Sequence, residues 1–239
     1  MKDIPLFQAQ GGLATLFLSQ IPHTGRAWVL LHSYDPASLE DVLAQCRSAC
    51  RVCGATRGYV CFAEPEADIP SGLLHAYDLL ELAGPNPTIP SNRAGQGPAP
   101  ARPSPTIDQP LSLEPLTEQT AQAFADCYQA VFGALRHARV CRLADAKKLA
   151  VTGGAWLVRQ SGVLVGLGQV RDSEIQALGL LPEFRGRGLG RALMRLLAGQ
   201  IPADRVTVHT TSEDAPALGL YRSLGLTEVR PAERWYQLF

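Results

Sequence analysis

The stretch Leu178-Gly179-Leu180-Leu181-Pro182-Glu183-Phe184-Arg185-Gly186-Arg187-Gly188-Leu189-Gly190-Arg191 decides how this chain is read. An apolar strand, Glu174–Leu181, runs into a glycine-rich turn. A helix over Gly188–Gly199 then follows, with Leu189, Leu193, Leu196 and Leu197 on one face. The first N–H groups of a helix have no carbonyl partner and carry partial positive charge, so they suit a phosphate. Glycine at 186, 188 and 190 lets a ligand approach the main chain closely. Arg185, Arg187 and Arg191 add positive charge around it. The physics predicts a pyrophosphate site, with the remainder of the ligand lying along the preceding strand.

Two familiar nucleotide motifs do not fit. A P-loop needs Lys-Ser/Thr after its last glycine, and none is present. Gly186-x-Gly188-x-Gly190 has the wrong spacing for a dinucleotide fingerprint, and the element order is wrong for a first βα unit. Arg185-x-x-Gly188-x-Gly190 instead resembles the acetyl-CoA signature of the GNAT acetyltransferases, Gln/Arg-x-x-Gly-x-Gly/Ala. Downstream, Asp214-Ala215-Pro216-Ala217-Leu218-Gly219-Leu220-Tyr221-Arg222-Ser223-Leu224-Gly225-Leu226 resembles the family's second motif: Asn, a short helix, Leu-Tyr, then Gly-Phe opening a strand.

The resemblance covers residues 111–239 in element order and implies a set of roles. The main chain of Leu178, Gly179 and Leu180 would pair with the pantetheine arm. The N–H of Leu180, or one beside it, would polarise the acetyl carbonyl. Amides from Gly186 through Arg187, Gly188, Leu189 and Gly190 to Arg191 would hold the pyrophosphate. Tyr221 would protonate the departing thiolate. Asp214 stands where the family has Asn and lacks that residue's donor, and Leu226 replaces Phe. The implied activity is transfer of an acetyl group from acetyl-CoA, the cosubstrate, to a primary amine by direct attack, with no metal. For the base, the sequence offers Glu174 at the start of the flanking strand, His209 on the next strand, or a relayed water. The rival reading is a non-catalytic CoA-binding or protein-interaction module that keeps only the phosphate turn.

Outward from this segment the expected fold class is mixed α/β, a GNAT-like central sheet flanked by helices. Its elements are strand 111–116, a helix opened by Thr117-x-x-Thr120, a helix at 145–150, and strands at 155–159 and 163–170 joined by Ser161-Gly162. After the glycine turn come strand 205–210, helix 215–224 and strands at 226–229 and 235–239. Gly84–Pro110 holds eight prolines, three glycines and no aromatic residue in 27 positions, which predicts an extended linker. Residues 1–83 are expected to form a small ββαββ unit, possible as a degenerate half of a duplicated domain: strands 13–19 and 27–32, a helix started by Asp35-Pro36, and strands 58–63 and 73–82. It has no turn like Arg185–Gly190, so no second CoA site is expected.

Composition sets limits. Hydrophobic residues make up 46% and charged residues 18%, enough apolar material for packed cores. The formal charge is zero, with three net positive charges after residue 109 balanced by three net negative before it. That is too mild for a nucleic-acid surface but compatible with a phosphorylated ligand. No run approaches the roughly 20 apolar residues of a membrane span, and Met-Lys-Asp-Ile-Pro is not a leader sequence. A cytoplasmic protein, monomeric or homodimeric, is expected, with no nucleic-acid or membrane partner. Cys46, Cys50 and Cys53 fall at helical spacing with no second ligand pair, so they are expected to be core residues.

Overall fold

The computed structural model describes residues 2–63, 69, 72–89, 110–135 and 140–239. The first half of the chain forms β1 (Ile4–Ala9), β2 (Gly12–Phe17), a single turn α1 (Ile21–Thr24), β3 (Arg26–Tyr34), α2 (Leu39–Val52), β4 (Arg57–Phe62) and β5 (Leu74–Pro85). The second half forms β6 (Leu111–Pro115), α3 (Ala121–Phe132), α4 (Leu143–Thr152), β7 (Ala155–Gln160), β8 (Val163–Arg171), β9 (Glu174–Leu180), α5 (Leu189–Ala198), β10 (Arg205–Thr211), α6 (Ala215–Ser223) and β11 (Glu228–Gln237). These elements make two compact units. Unit 1 holds residues up to Leu80 with Thr211–Glu213 and Pro231–Phe239; unit 2 holds Glu81–Thr210 and Asp214–Arg230.

Unit 1 departs from the expected ββαββ order in two ways. A further strand, β1, precedes the others and pairs antiparallel with β2. Pro5 hides it in the sequence, but an edge strand tolerates a missing donor. The chain's last strand also belongs here: Trp235, Tyr236 and Gln237 of β11 pair antiparallel with Cys61, Val60 and Tyr59 of β4. The expected 111–239 domain therefore loses its final residues to unit 1. Between β3 and β4, Asp35 accepts a hydrogen bond from the Ala37 N–H at 3.1 Å and starts the helical segment. α2 then buries Leu39, Val42, Leu43, Cys46 and Cys50. Cys46 and Cys50 are core residues, whereas Cys53, just past the helix, is only half-buried against the core; burial pushes the Cys46 thiol up to about 11 and the Cys50 thiol up to about 12. Trp28, Tyr59, Tyr77 and Trp235 form a second cluster, in which the Trp28 indole donates to the Tyr77 hydroxyl at 3.2 Å.

In unit 2 the strand order is β10-β9-β8-β7-β6, with the Glu81–Pro85 part of β5 beside β10. Strands β6 to β9 are antiparallel and β10 is parallel to β9. A parallel neighbour requires a crossover, which α5 supplies. The β7–β8 turn places Ser161 at φ 52° and Gly162 at φ 80°, matching the twist of a tight hairpin. Phe124, Ala125, Cys127 and Val131 of α3 are buried in the core that also holds Leu157, Leu167 and Ala177 of the sheet. Near the C-terminus the two expected strands at 226–229 and 235–239 are one strand, β11, which runs through Pro231.

The expected linker begins later than Gly84. β5 continues through Pro85, and Asn86 is only 2% exposed. Its Nδ2 group lies 3.1 Å from each of the carbonyls of Ala198, Ile201 and Ala203 and donates to them. Its main-chain N–H donates to the Asp204 carbonyl at 2.7 Å. The side chain thus fixes the segment joining α5 to β10. Residues 90–109, the bulk of the expected linker, lie outside the described residues.

Leaving those carbonyls buried without a donor costs about 1–3 kcal/mol. Asn86→Leu is therefore expected to lower unfolding stability by that amount, measured as a shift in the urea midpoint at unchanged m-value. An unchanged midpoint would show that the three carbonyls find other donors.

Candidate functional site

The site starts where two parallel strands part. β10 pairs with β9 only at Thr207↔Glu174 and Val208↔Ile175. In the corresponding place of unit 1, β3 and β4 pair continuously from Arg26↔Arg57 to Leu31↔Phe62. Beyond Ile175, β9 keeps only its β8 neighbour. A bulge accompanies the parting: Ile175 pairs with Val170 and Ala177 with Gln169, which leaves Gln176 as an extra residue. Bulges bend a strand and increase its twist. The Leu181 N–H donates to Val165 on β8. Strand alternation then turns the main-chain groups of Leu178 and Leu180 away from β8, into the opened side. Among the described residues the Leu180 N–H has no partner. Its carbonyl accepts from the Arg185 Nε at 3.0 Å.

β9 leads directly into the glycine turn. Gly186 (φ 75°) and Gly188 (φ 78°) both adopt the left-handed region, which only glycine enters without strain. A Cβ at Gly186 would meet no atom within 4 Å, and one at Gly190 would touch only Leu220, at 3.4 Å. The turn thus stands open. The Arg191 N–H returns to the Gly188 carbonyl at 3.2 Å. Among the described residues, the five N–H groups from Gly186 to Gly190 have no hydrogen-bond partner. They are exposed to half-buried except at Leu189.

The three arginines divide the work differently from the expected cluster of charge. Arg185 donates to the Leu180 carbonyl and, through Nη2, to the Val131 carbonyl at 3.0 Å, so it ties the turn to β9 and to the end of α3. Arg191 donates to the Ser223 carbonyl at 3.4 Å and to its Oγ at 2.8 Å, which links α5 to α6. Arg187 is exposed, with its guanidinium 5.6 Å from the Phe184 ring centroid.

α6 carries the second motif. Asp214 caps it, accepting from the Ala217 N–H at 3.1 Å. The Asn-to-Asp change therefore leaves an acceptor suited to capping. Tyr221, about two turns on, is 6% exposed. Burial first, and then the Asp214 carboxylate, push its phenol well above the usual range. The hydroxyl has no hydrogen-bond partner among the described residues. No buried side-chain polar atom among them lacks one, so the hydroxyl oxygen still reaches open space.

The two residues weighed as alternative bases are joined. His209 Nδ1 lies 2.9 Å from Glu174 Oε1. Neighbours on β10 explain the orientation: Val206 and Val208 are buried, so Thr207 and His209 alternate onto the other face. Sequence reading missed the third member. Glu81 of β5 places Oε2 3.6 Å from His209 Nε2. Arg230 holds Glu81 through two hydrogen bonds, Nε to Oε1 at 2.7 Å and Nη2 to Oε2 at 2.9 Å. That contact, above all the hydrogen bond, keeps the Glu81 carboxyl below the usual carboxylate range. The only local signal was an acidic residue inside an apolar run, Leu79-Leu80-Glu81-Leu82. Cys127 and Cys141 play no comparable part. Burial, chiefly, pushes their thiols up to about 12 and about 11.

Known proteins resemble this chain in sequence and fold. The profile of the Acetyltransferase (GNAT) family matches residues 117–226. N-alpha-acetyltransferase RimI of Mycobacterium tuberculosis is 31% identical over 88 residues, 34% of this chain, which spans 56% of that protein's length. A GCN5-related N-acetyltransferase from Sphaerobacter thermophilus superposes over 95% of this chain and 75% of its own, with a TM-score of 0.57 at 15% identity. A tandem GNAT protein from the clavulanic acid biosynthesis pathway superposes over 95% of this chain and 78% of its own, with a TM-score of 0.52 at 16% identity. These structural likenesses concern the fold. The parted parallel strands, the open glycine turn and the match to the GNAT family model fall on one stretch of sequence, residues 117–226, and it is this segment that is similar to the GNAT acetyltransferases.

Proposed function

We propose that unit 2 is an N-acetyltransferase that carries an acetyl group from acetyl-CoA to a primary amine in a ternary complex. The observation that supports this most is the run of five unpartnered N–H groups, Gly186 to Gly190, continuous with the opened side of β9. They would hold the pyrophosphate, with Arg187 the arginine left to add charge. Leu178 and Leu180 would pair with the cofactor arm, with Gly179 between them. Leu180 N–H would face the acetyl oxygen as charge develops there. Arg185, Arg191 and Asp214 would act at one remove, by holding the turn and α6.

His209, oriented by Glu174, serves as base. The nitrogen of the attacking ammonium loses two protons in all. One passes to His209 and onward to solvent. The other balances the departing thiolate, to which Tyr221 donates as the C–S bond breaks and the N–C bond forms. A phenol kept protonated by burial acts as a donor and not as a base. The RimI relative makes the α-amine of a peptide the first acceptor to try. A non-catalytic module would keep the turn but has no use for a His–Glu pair at the other end of β9.

Release of free thiol from acetyl-CoA with a panel of amines tests the reading. Tight acetyl-CoA binding without turnover on any amine would favour the module. Tyr221→Phe is expected to lower kcat by about a hundredfold with acetyl-CoA binding changed less than twofold, read by steady-state kinetics and calorimetry. Equal turnover would remove Tyr221 from the mechanism.

Gly188→Ala forces a side chain into the left-handed region at a cost of about 1–2 kcal/mol. It is expected to weaken acetyl-CoA binding by about tenfold, measured by calorimetry. The same titration of the unaltered chain should give one site per chain, because β3 and β4 leave no gap in unit 1. Two sites would overturn the view of unit 1 as silent.

A further inference from the structure

The His209 ring lies between two carboxylates, Glu174 at Nδ1 and Glu81 at Nε2. If Nδ1–H of a neutral His209 donates to Glu174 at 2.9 Å, Nε2 presents a lone pair. Glu81 Oε2, 3.6 Å away, is also an acceptor. Two acceptors aimed at one place repel unless a cationic donor lies between or beside them. The charges that surround His209 are Glu174 and Glu81, with Arg230 beyond Glu81. Two carboxylates and one guanidinium leave one net negative charge, which a single ammonium would balance. The side chains of His209, Glu81 and Glu174 are 29%, 18% and 33% exposed, so a ligand can reach them while water is partly excluded.

We propose that Glu81 is a substrate-binding residue of the acceptor site. Together with His209 Nε2 it receives the protonated nitrogen of a primary amine, and Arg230 is the positioning residue that holds Glu81 there. This rests on the acetyltransferase reading above and narrows it: the acceptor enters as an ammonium. One N–H of the cation points to Glu81 and a second to Nε2, which takes that proton. The free amine is then left beside the opened edge of β9. Glu81 keeps its charge throughout, because Arg230 donates to both of its oxygens, Oε2 included, and disfavours its protonation.

The test uses the full chain and acetyl-CoA with three acceptors. Benzylamine and a tripeptide with a free α-amine are cationic at the assay pH, whereas aniline is neutral. In Glu81→Gln, KM for a cationic acceptor is expected to rise about tenfold or more, the worth of a charged hydrogen bond. KM for acetyl-CoA should stay within twofold, and aniline kinetics should be unaffected. Glu81→Asp keeps the charge on a shorter arm and is expected to recover part of the loss. Arg230→Met is expected to produce a smaller change in the same direction. Unchanged KM for cationic acceptors in Glu81→Gln, or an equal rise in KM for aniline, would overturn the proposal while leaving the acetyltransferase reading intact. No turnover of any acceptor by the unaltered chain that still binds acetyl-CoA would overturn that reading, and the proposal with it.

Discussion

The limit of the β9–β10 ladder to two residue pairs is the constraint on which the site depends. Main-chain N–H and C=O groups are obligatory hydrogen-bonding groups, and a parallel sheet normally satisfies them by running on. Here the strands part after Ile175 and Val208, so Leu178 and Leu180 present donors and acceptors with no strand opposite them. The glycine turn extends that condition for five more N–H groups. The protein thus keeps an unfinished stretch of sheet and an unfinished helix start side by side. A ligand with amides at one end and phosphates at the other, as proposed above, would complete both.

Unit 1 shows the same sequence of elements without that opening. β1, β2 and β3 are antiparallel, α2 crosses over, and β4 returns parallel to β3, as β7, β8, β9, α5 and β10 do in unit 2. The difference lies in one register. Six consecutive pairs close β3 on β4, and the turn before α2 carries the Asp35 carboxylate where unit 2 has bare amides. A carboxylate at that position repels phosphate, and a closed ladder leaves no groups to pair. The two units share this order of elements and differ at this register and this turn.

Around the opening, side chains act mainly as props. Arg185 and Arg191 donate to carbonyls of the protein itself, and Asp214 caps α6. Such contacts hold bare amides in place without covering them, and pre-organised donors do not have to reorganise as charge develops. The groups proposed above to react are few: the Leu180 N–H, the Tyr221 hydroxyl and the His209 ring with its two carboxylates. Each is anchored by an element whose other face is buried, which is how half-exposed groups keep a fixed orientation.

Local sequence determined much of this. A strand, three glycines at alternate positions and a leucine-faced helix specify the turn, because only glycine enters φ near 75° without strain and helix starts always leave donors over. Helix α2 with its buried cysteines and the Ser161-Gly162 hairpin were legible for similar local reasons. Other features depend on residues far apart in the chain and had no local signature. The joining of His209 to Glu174 needs the β9–β10 register, and the Glu81–Arg230 pair spans 149 positions. Asn86 looked like part of a proline-rich linker until three distant carbonyls met its amide. The edge strand β1 and the placement of Pro231–Phe239 in unit 1 likewise follow from which strand lies alongside, a matter that backbone pairing across the fold decides and side-chain pattern along the chain does not.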